Sequence, residues 1–321
     1  MKRAALIGAG PRGRFLAESL VESGAGSLAG VWDRTPAHAE AVAARTGAPA
    51  HPSIRGLVEA TSPDLVIVAT APAARADVVA AAAAGGATAF LVEKPLALDP
   101  GSLRELGRSA EAGFLAVNTQ YQWMPHWRHL LGRIRTGDLG RVRSIRASTG
   151  VELLDQGPHL LSLCEAILSA DGTTGIPTVA ATGEGITDYG GARIPRQIEA
   201  VLSYPETVVT ISAGPESWRV EGETVSHFQQ RIDVIGARGS ATVTLTRGWR
   251  ILVGDVVDEG PTGWPADDVS SQRALFLDLA AALEDPARRA VFPTRMESAA
   301  GVTRLLFDIV DSARDPRGTR T

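Results

Sequence analysis

Two short runs in this 321-residue chain carry groups able to move a proton or hold a developing charge. The first is Glu93-Lys94-Pro95, where the apolar run Phe90-Leu91-Val92 stops at a carboxylate, an ammonium and a proline. Lysine is scarce, since among 32 Lys and Arg residues only Lys2 and Lys94 are lysine. Arginine cannot give up its proton in a protein, whereas a lysine can, and its ammonium is a compact point donor. Lys94 either does work that arginine cannot do or is a chance survivor of an arginine-rich codon usage.

The second run lies between Gly150 and Ser162 and contains Asp155-Gln156-Gly157-Pro158-His159. Leu160, Leu163, Cys164, Ile167 and Leu168 recur at helical spacing, so a helix face is turned toward a core. Pro158 then belongs in a first helical turn, which places Asp155 or Gly157 near the N-cap. Asp155 and His159, four residues apart, share one edge of that helix. A histidine at the positive helix end is held neutral and able to accept a proton, while Asp155 could orient its ring or grip a hydroxyl. Alternatively, Asp155 is a cap and His159 is packing. Cys164 reads as part of the apolar face rather than as a reactive thiol. No second histidine or cysteine has ligand spacing with His159, so no metal site is expected.

The elements that position these runs read as two domains. A strand over residues 4–8 enters Gly8-Ala9-Gly10-Pro11-Arg12-Gly13, and a helix with Phe15, Leu16, Leu20 and Val21 follows. In that context GxGxxG reads as a dinucleotide turn: Gly8 permits the bend, Gly10 lets backbone N–H groups approach a pyrophosphate, and Gly13 allows close helix–strand packing. Pro11 fits a first helical turn. A second strand ends at Asp33, twenty residues after Gly13, where a carboxylate accepts from ribose hydroxyls; a cap on the helix around 36–45 is the other reading. Asp33 favours NAD, and Arg34 beside it leaves NADP compatible. Asp64 to Ala69 is a buried parallel strand ending at Thr70-Ala71-Pro72, and Ala89 to Val92 delivers Glu93 and Lys94 to the same carboxyl edge.

Strands and helices alternate to about residue 119, which predicts a doubly wound parallel Rossmann sheet over 1–119. Beyond it, a helix near 126–136 and β-rich segments at 141–152, 177–186, 196–204, 207–213, 228–236, 240–246 and 249–254 predict an α+β domain over 120–321 with an open, mainly antiparallel sheet. Two helices follow, and Pro/Gly-rich 258–268 reads as a mobile loop. A net charge of -4 and the lack of a basic block argue against nucleic acid. The apolar run Ala4–Ile7 is too short for a membrane span or signal segment, and the single Cys164 excludes an internal disulfide framework. A cytoplasmic protein is expected.

The glycine turn, the strand ending in Glu93-Lys94-Pro95 and Asp155-x-Gly157-x-His159 together resemble the Gfo/Idh/MocA family of sugar and cyclitol dehydrogenases, over nearly the whole chain. The resemblance implies an NAD(P)-dependent enzyme acting on CH–OH groups. It places Lys94 beside the nicotinamide and the reacting hydroxyl, with its bond to Pro95 often cis. It makes His159 the acid/base and Asp155 a binder of substrate hydroxyls. It also implies a cofactor set of Gly8, Gly10, Pro11, Arg12, Gly13, Asp33, Arg34, Thr70, Pro72, Glu93 and Lys94. The substrate set would be Lys94, Gln120, Gln122, Asp155 and His159, in a homodimer or homotetramer. Three positions depart from the pattern: a family acid is Ser162, a family arginine is Gln122, and a family histidine falls near Ala76. A lyase, dehydratase or glycosidase with transient internal oxidation, an imine or keto reductase, and a cofactor-binding sensor are the alternatives.

Overall fold

The computed structural model describes residues 1–111 and 113–314. The chain divides into two compact units, one of Met1–Thr119 with Gln272–Thr303 and one of Gln120–Ser271 with the described residues from Arg304 on.

In the first unit the strands are β1 (Arg3–Ile7), β2 (Ser27–Trp32), β3 (Leu65–Val68), β4 (Ala89–Glu93) and β5 (Phe114–Asn118), and the helices between them are α1 (Pro11–Ser23), α2 (Pro36–Thr46), α3 (Ile54–Thr61), α4 (Arg75–Ala84) and α5 (Pro100–Ala110). The sheet order is β2-β1-β3-β4-β5, and every pair is parallel. Helices on the sheet leave β3, β4 and β5 buried at every position, which is why they read as unbroken apolar runs. The order reverses between β1 and β3, so their carboxyl ends open a crevice of the kind in which doubly wound sheets hold ligands.

A single break at residue 119 would leave 120–321 together, but 272–303 pack with the first unit. The reason is the exposed edge of β5. Val117 N–H donates to the Thr294 carbonyl at 2.8 Å, Ala116 bridges Arg295, and Phe114 meets Phe292 edge-to-face at 5.7 Å. The covering segment satisfies backbone groups that a bare edge would leave open.

The second unit begins with a 3-10 turn at Gln120–Trp123 and helix α6 (Pro125–Arg135), then β6 (Val142–Thr149) and α7 (Leu153–Asp171). Strands β7 (Thr178–Glu184), β8 (Thr187–Tyr189), β9 (Ala192–Ile194), β10 (Gln197–Ser203), β11 (Val208–Ala213), β12 (Gln230–Gly236), β13 (Gly239–Thr244), β14 (Trp249–Val253) and β15 (Val256–Gly260) follow. Seven of them join β6 in an eight-stranded sheet of order β15-β14-β13-β12-β6-β11-β10-β7, antiparallel except for the β6–β11 pair. Burial alternates along β10, with Ile198, Ala200 and Leu202 inward and Glu199, Val201 and Ser203 outward. That period of two marks a sheet with one covered face. The chain closes with α8 (Ala266–Glu284), α9 (Pro286–Ala290) and α10 (Met296–Arg314).

Two expectations for this unit are corrected. The supposed loop over 258–268 is mostly regular: β15 continues to Gly260 and α8 starts at Ala266. Val253 and Val256 pair across a tight turn, and the Asp267 carboxylate fixes the Gly263 N–H at 2.8 Å. Helix α7 starts at Leu153, with Glu152 as N-cap, so Pro158 lies inside it rather than in its first turn. The buried Leu153 and Leu154 extend the apolar face one turn earlier than the proline suggested.

Candidate functional site

The glycine turn has the geometry that close dinucleotide approach requires. Gly8 has φ +95°, and a side chain there would lie 2.7 Å from the Ala69 backbone. A Cβ at Gly13 would sit 1.9 Å from the Gly8 carbonyl oxygen, so α1 can meet the turn only through glycine. Above Gly10 nothing lies within 4 Å of a built Cβ, leaving backbone N–H groups of the α1 start open to a ligand. No side chain caps α1, and no acid occupies its first turn.

Asp33 directly follows β2, and its carboxylate faces this turn. Its carboxylate accepts the Ala9 N–H at 2.6 Å and the Thr35 N–H at 2.7 Å, with His38 Nδ1 at 3.5 Å. Thr35, not Asp33, is the N-cap of α2. A groove of about 280 Å³ runs along Gly8, Gly10, Asp33, Arg34, His38 and Thr70. These residues fit NAD: open N–H groups for a pyrophosphate, a partly exposed carboxylate for ribose hydroxyls, and a trough between them. Pro11, Arg12, Gly13, Pro72, Glu93 and Lys94 do not line that groove.

Glu93 and Lys94 stand at the carboxyl end of β4, where a second cluster forms. Glu93 is paired in register with Asn118 at the end of β5. Its buried carboxylate accepts from Arg12 Nε at 2.6 Å and from Asn118 Nδ2 at 2.6 Å, and its other oxygen accepts the Lys94 N–H at 3.2 Å. Gln272 exchanges bonds of 3.1 Å with Asn118 and accepts from Arg12 at 3.2 Å. Burial alone would push Glu93 up, but the Arg12 charge, the bonds from Arg12 and Asn118, and the Arg75 charge hold its carboxyl below the usual value. Glu93 is therefore an ionised anchor. The Lys94–Pro95 peptide is cis.

In the second unit Asp155 and His159 lie one turn apart on α7, as their spacing implied, but His159 is the seventh helical residue. The helix dipole falls off within the first turn, so it acts on Asp155 more than on the ring. His159 is buried and stacks on Tyr121 with ring centroids 4.0 Å apart and planes 13° apart. Asp155 Oδ2 lies 3.5 Å from His227 Nδ1, and Gln156 Nε2 lies 2.7 Å from His227 Nε2. Gln230 bonds to both Gln156 and Tyr121. Gly157 lets α10 approach, since a Cβ there would lie 3.1 Å from Leu306.

Gln122 donates to the Ser162 hydroxyl at 2.7 Å and to its carbonyl at 3.3 Å. The two positions that depart from the resembled pattern are thus hydrogen-bonded to each other, and both are uncharged. Gln120 is buried and donates to Asp268 at 2.9 Å. Burial and the Glu165 charge push the Cys164 thiol up, which suits packing rather than reactivity. Among the described residues no group of three or more His, Cys, Asp or Glu could hold a metal ion, and no helix is long and apolar enough to cross a membrane.

Sequence reasoning missed Asn118, Gln272, His227 and Arg75. Asn118 had a signal, since it ends β5 as Glu93 ends β4. Arg75 had one too: a cation in the first turn of an alanine-rich helix opposes the dipole unless something holds it. Gln272 and His227 are brought in from distant segments and carry no local pattern.

The parallel sheet, the glycine turn and the groove beside Asp33 define a dinucleotide-binding protein of the Rossmann class. Residues 2–119 match the model of the Gfo/Idh/MocA oxidoreductase family with its NAD-binding Rossmann fold. Over that segment, a little over a third of the chain, the protein is similar to the NAD-binding domain of that family. Its fold is similar to that of an oxidoreductase from Agrobacterium radiobacter solved with NAD+, L-tartaric acid and magnesium, at 17% identity, 98% and 97% coverage of the two chains and a TM-score of 0.83. It is also similar to an inositol dehydrogenase homologue from Azotobacter vinelandii solved with NADH and myo-inositol (18%, 98% and 95%, TM-score 0.80). A third is UDP-N-acetylglucosamine 3-dehydrogenase from Acidithiobacillus ferrooxidans (22%, 98% and 98%, TM-score 0.75). No curated protein matches the chain in sequence.

Proposed function

We propose that the protein is a dehydrogenase that interconverts a secondary alcohol and a ketone on a sugar- or cyclitol-like substrate, with NAD as the redox partner. The observation that carries this reading is the Glu93 anchor. Held by Arg12 and Asn118, Glu93 fixes the end of β4 and so the start of the Lys94 side chain at the carboxyl edge of a dinucleotide-binding sheet. Gly8, Gly10 and Gly13 with the start of α1 would hold the pyrophosphate, and Asp33 the adenosine ribose. NAD supplies the hydride acceptor when bound.

The remaining work falls to this chain. His159 takes the hydroxyl proton, its ring plane set by the stack on Tyr121. Lys94 donates to the same oxygen, whose negative charge develops only as the proton leaves, so its pull is greatest in the transition state. Asp155 accepts from a neighbouring substrate hydroxyl, and His227 beside it extends that polar floor. The Gln122–Ser162 pair is uncharged and hydrogen-bonded, which supports a substrate that presents hydroxyls there rather than an ionic group. The likeness to the homologue solved with NADH and myo-inositol supports the substrate class.

The test is a panel of cyclitols, aldoses and nucleotide sugars followed by NADH absorbance. On the substrate found, Lys94→Ala and His159→Ala should each lower kcat by about 10²–10⁴-fold with folding intact. Near-normal turnover by both variants would sink the mechanism. Conversion of substrate with no net NADH would point instead to a lyase or glycosidase that oxidises its substrate transiently.

A further inference from the structure

Arg75 is the first residue of α4, and it is buried to 4% exposure although it carries a charge. Its guanidinium reaches three backbone carbonyls on two loops. Nε and Nη2 donate to the Thr70 carbonyl at 3.2 and 3.0 Å, Nη2 also to the Lys94 carbonyl at 3.0 Å, and Nη1 to the Pro95 carbonyl. Thr70 follows β3 and Lys94 follows β4, so one side chain joins the carboxyl ends of two adjacent strands, the first of which borders the switch-point crevice.

The consequence for Lys94 is specific. Its backbone N–H is held by Glu93 and its backbone carbonyl by Arg75, which leaves only side-chain torsions for the ammonium to explore. A buried cation that served only to fill space could be replaced by an apolar side chain without leaving a charge in need of partners. Here the five-donor fork of arginine matches a three-carbonyl target that a lysine could not span.

We infer that Arg75 is a positioning residue that welds the Thr70 loop and the Lys94–Pro95 segment into one rigid surface against which the nicotinamide half of NAD is ordered. The inference rests on the reading of Lys94 as the group at the reacting centre. Arg75 touches the groove beside Asp33, which would take the adenosine half, only through the Thr70 carbonyl, whereas its bonds to the Lys94 and Pro95 carbonyls act on the Lys94 side.

That division supplies the test. ADP-ribose shares the pyrophosphate and adenosine of NADH and lacks the nicotinamide. Titration calorimetry of both ligands against wild type, Arg75→Lys and Arg75→Gln, each checked for folding by circular dichroism, reads the ratio of their affinities. In the variants NADH should weaken by at least about 5-fold, about 1 kcal/mol, while ADP-ribose stays within about 2-fold. Guanidinium ion at millimolar concentration should restore NADH affinity in Arg75→Ala, which covers the case in which neither polar variant folds. Parallel weakening of both ligands marks a merely structural residue and overturns the inference, as does an unchanged ratio. Turnover by Lys94→Ala separates the two readings. If it is lost while the ratio in Arg75→Lys stays at wild type, only the positioning role fails. If it persists while the ratio drops, Arg75 keeps its role and the catalytic reading of Lys94 fails.

Discussion

Replacing Glu93 by glutamine isolates the anchor beneath Lys94 with almost no change in shape. The carboxylate accepts two bonds of 2.6 Å and one of 3.2 Å, and the amide can keep accepting at one oxygen while presenting N–H groups to donors at the other. Hydrogen bonds to a charged group contribute about 1.5–3 kcal/mol each. The Arg12 side chain is 35% exposed, so water recovers part of its loss and the Arg12 bond counts at well under that value. A net destabilisation of about 2–3 kcal/mol at pH 7 follows, which moves a urea midpoint down by about 1 M at unchanged m. The pH dependence gives the sharper check. The folded-state pKa of Glu93 is depressed, so its contribution is complete above the unfolded carboxylate value of about 4.3 and is lost as pH falls through the folded one. Glutamine gains no proton, hence the gap between wild type and Glu93→Gln should narrow on acidification below about pH 4.3. Urea titrations from pH 7 downward measure it. A variant as stable as wild type at pH 7, or a gap that stays constant into acid, would refute the anchor.

Three further outcomes are expected. Gly13→Ala forces a Cβ into the Gly8 carbonyl and should lower stability by about 1–3 kcal/mol together with ADP-ribose affinity, read by thermal melts and calorimetry. Asp33→Asn should weaken NADH by about 10-fold and raise NADPH relative to it, because the carboxylate that repels a 2′-phosphate is gone while Arg34 remains in the groove. Burial pushes His126 down to about 4 against the pull of Asp267, so it stays neutral in the folded state where the unfolded chain already binds a proton. Stability should therefore decline as pH falls from about 6.5 toward 4, and His126→Gln should flatten that slope by at most about 1.4 kcal/mol per pH unit in urea titrations.

The first unit was largely legible because its rules are local. The glycine turn, the apolar strands and the acid at the end of β2 each follow from neighbouring residues, and the parallel sheet follows from their alternation. Asp155 and His159 were legible as a pair because helical spacing is a short-range property. The start of α7 was not, since Pro158 suggested a first turn while Leu153 and Leu154 were recruited by packing from elsewhere. The same limit hid what Glu93 does: its partner Arg12 lies 81 positions away, and Gln272, which braces both Arg12 and Asn118, is farther still, separations that no periodicity reports. The hairpin formed by β8 and β9 went unread because its strands are three residues each and carry little apolar pattern.

The cover over β5 is made by residues synthesised more than 150 positions after the strand itself. On the ribosome, the first unit must wait with its last strand bare and Asn118 without Gln272 until most of the chain has emerged, an interval of about 10–30 s at usual elongation rates. Nascent chains arrested before residue 272 should accordingly bind dinucleotide poorly and offer β5 to chaperones, whereas chains extended past residue 303 and clear of the exit tunnel should not.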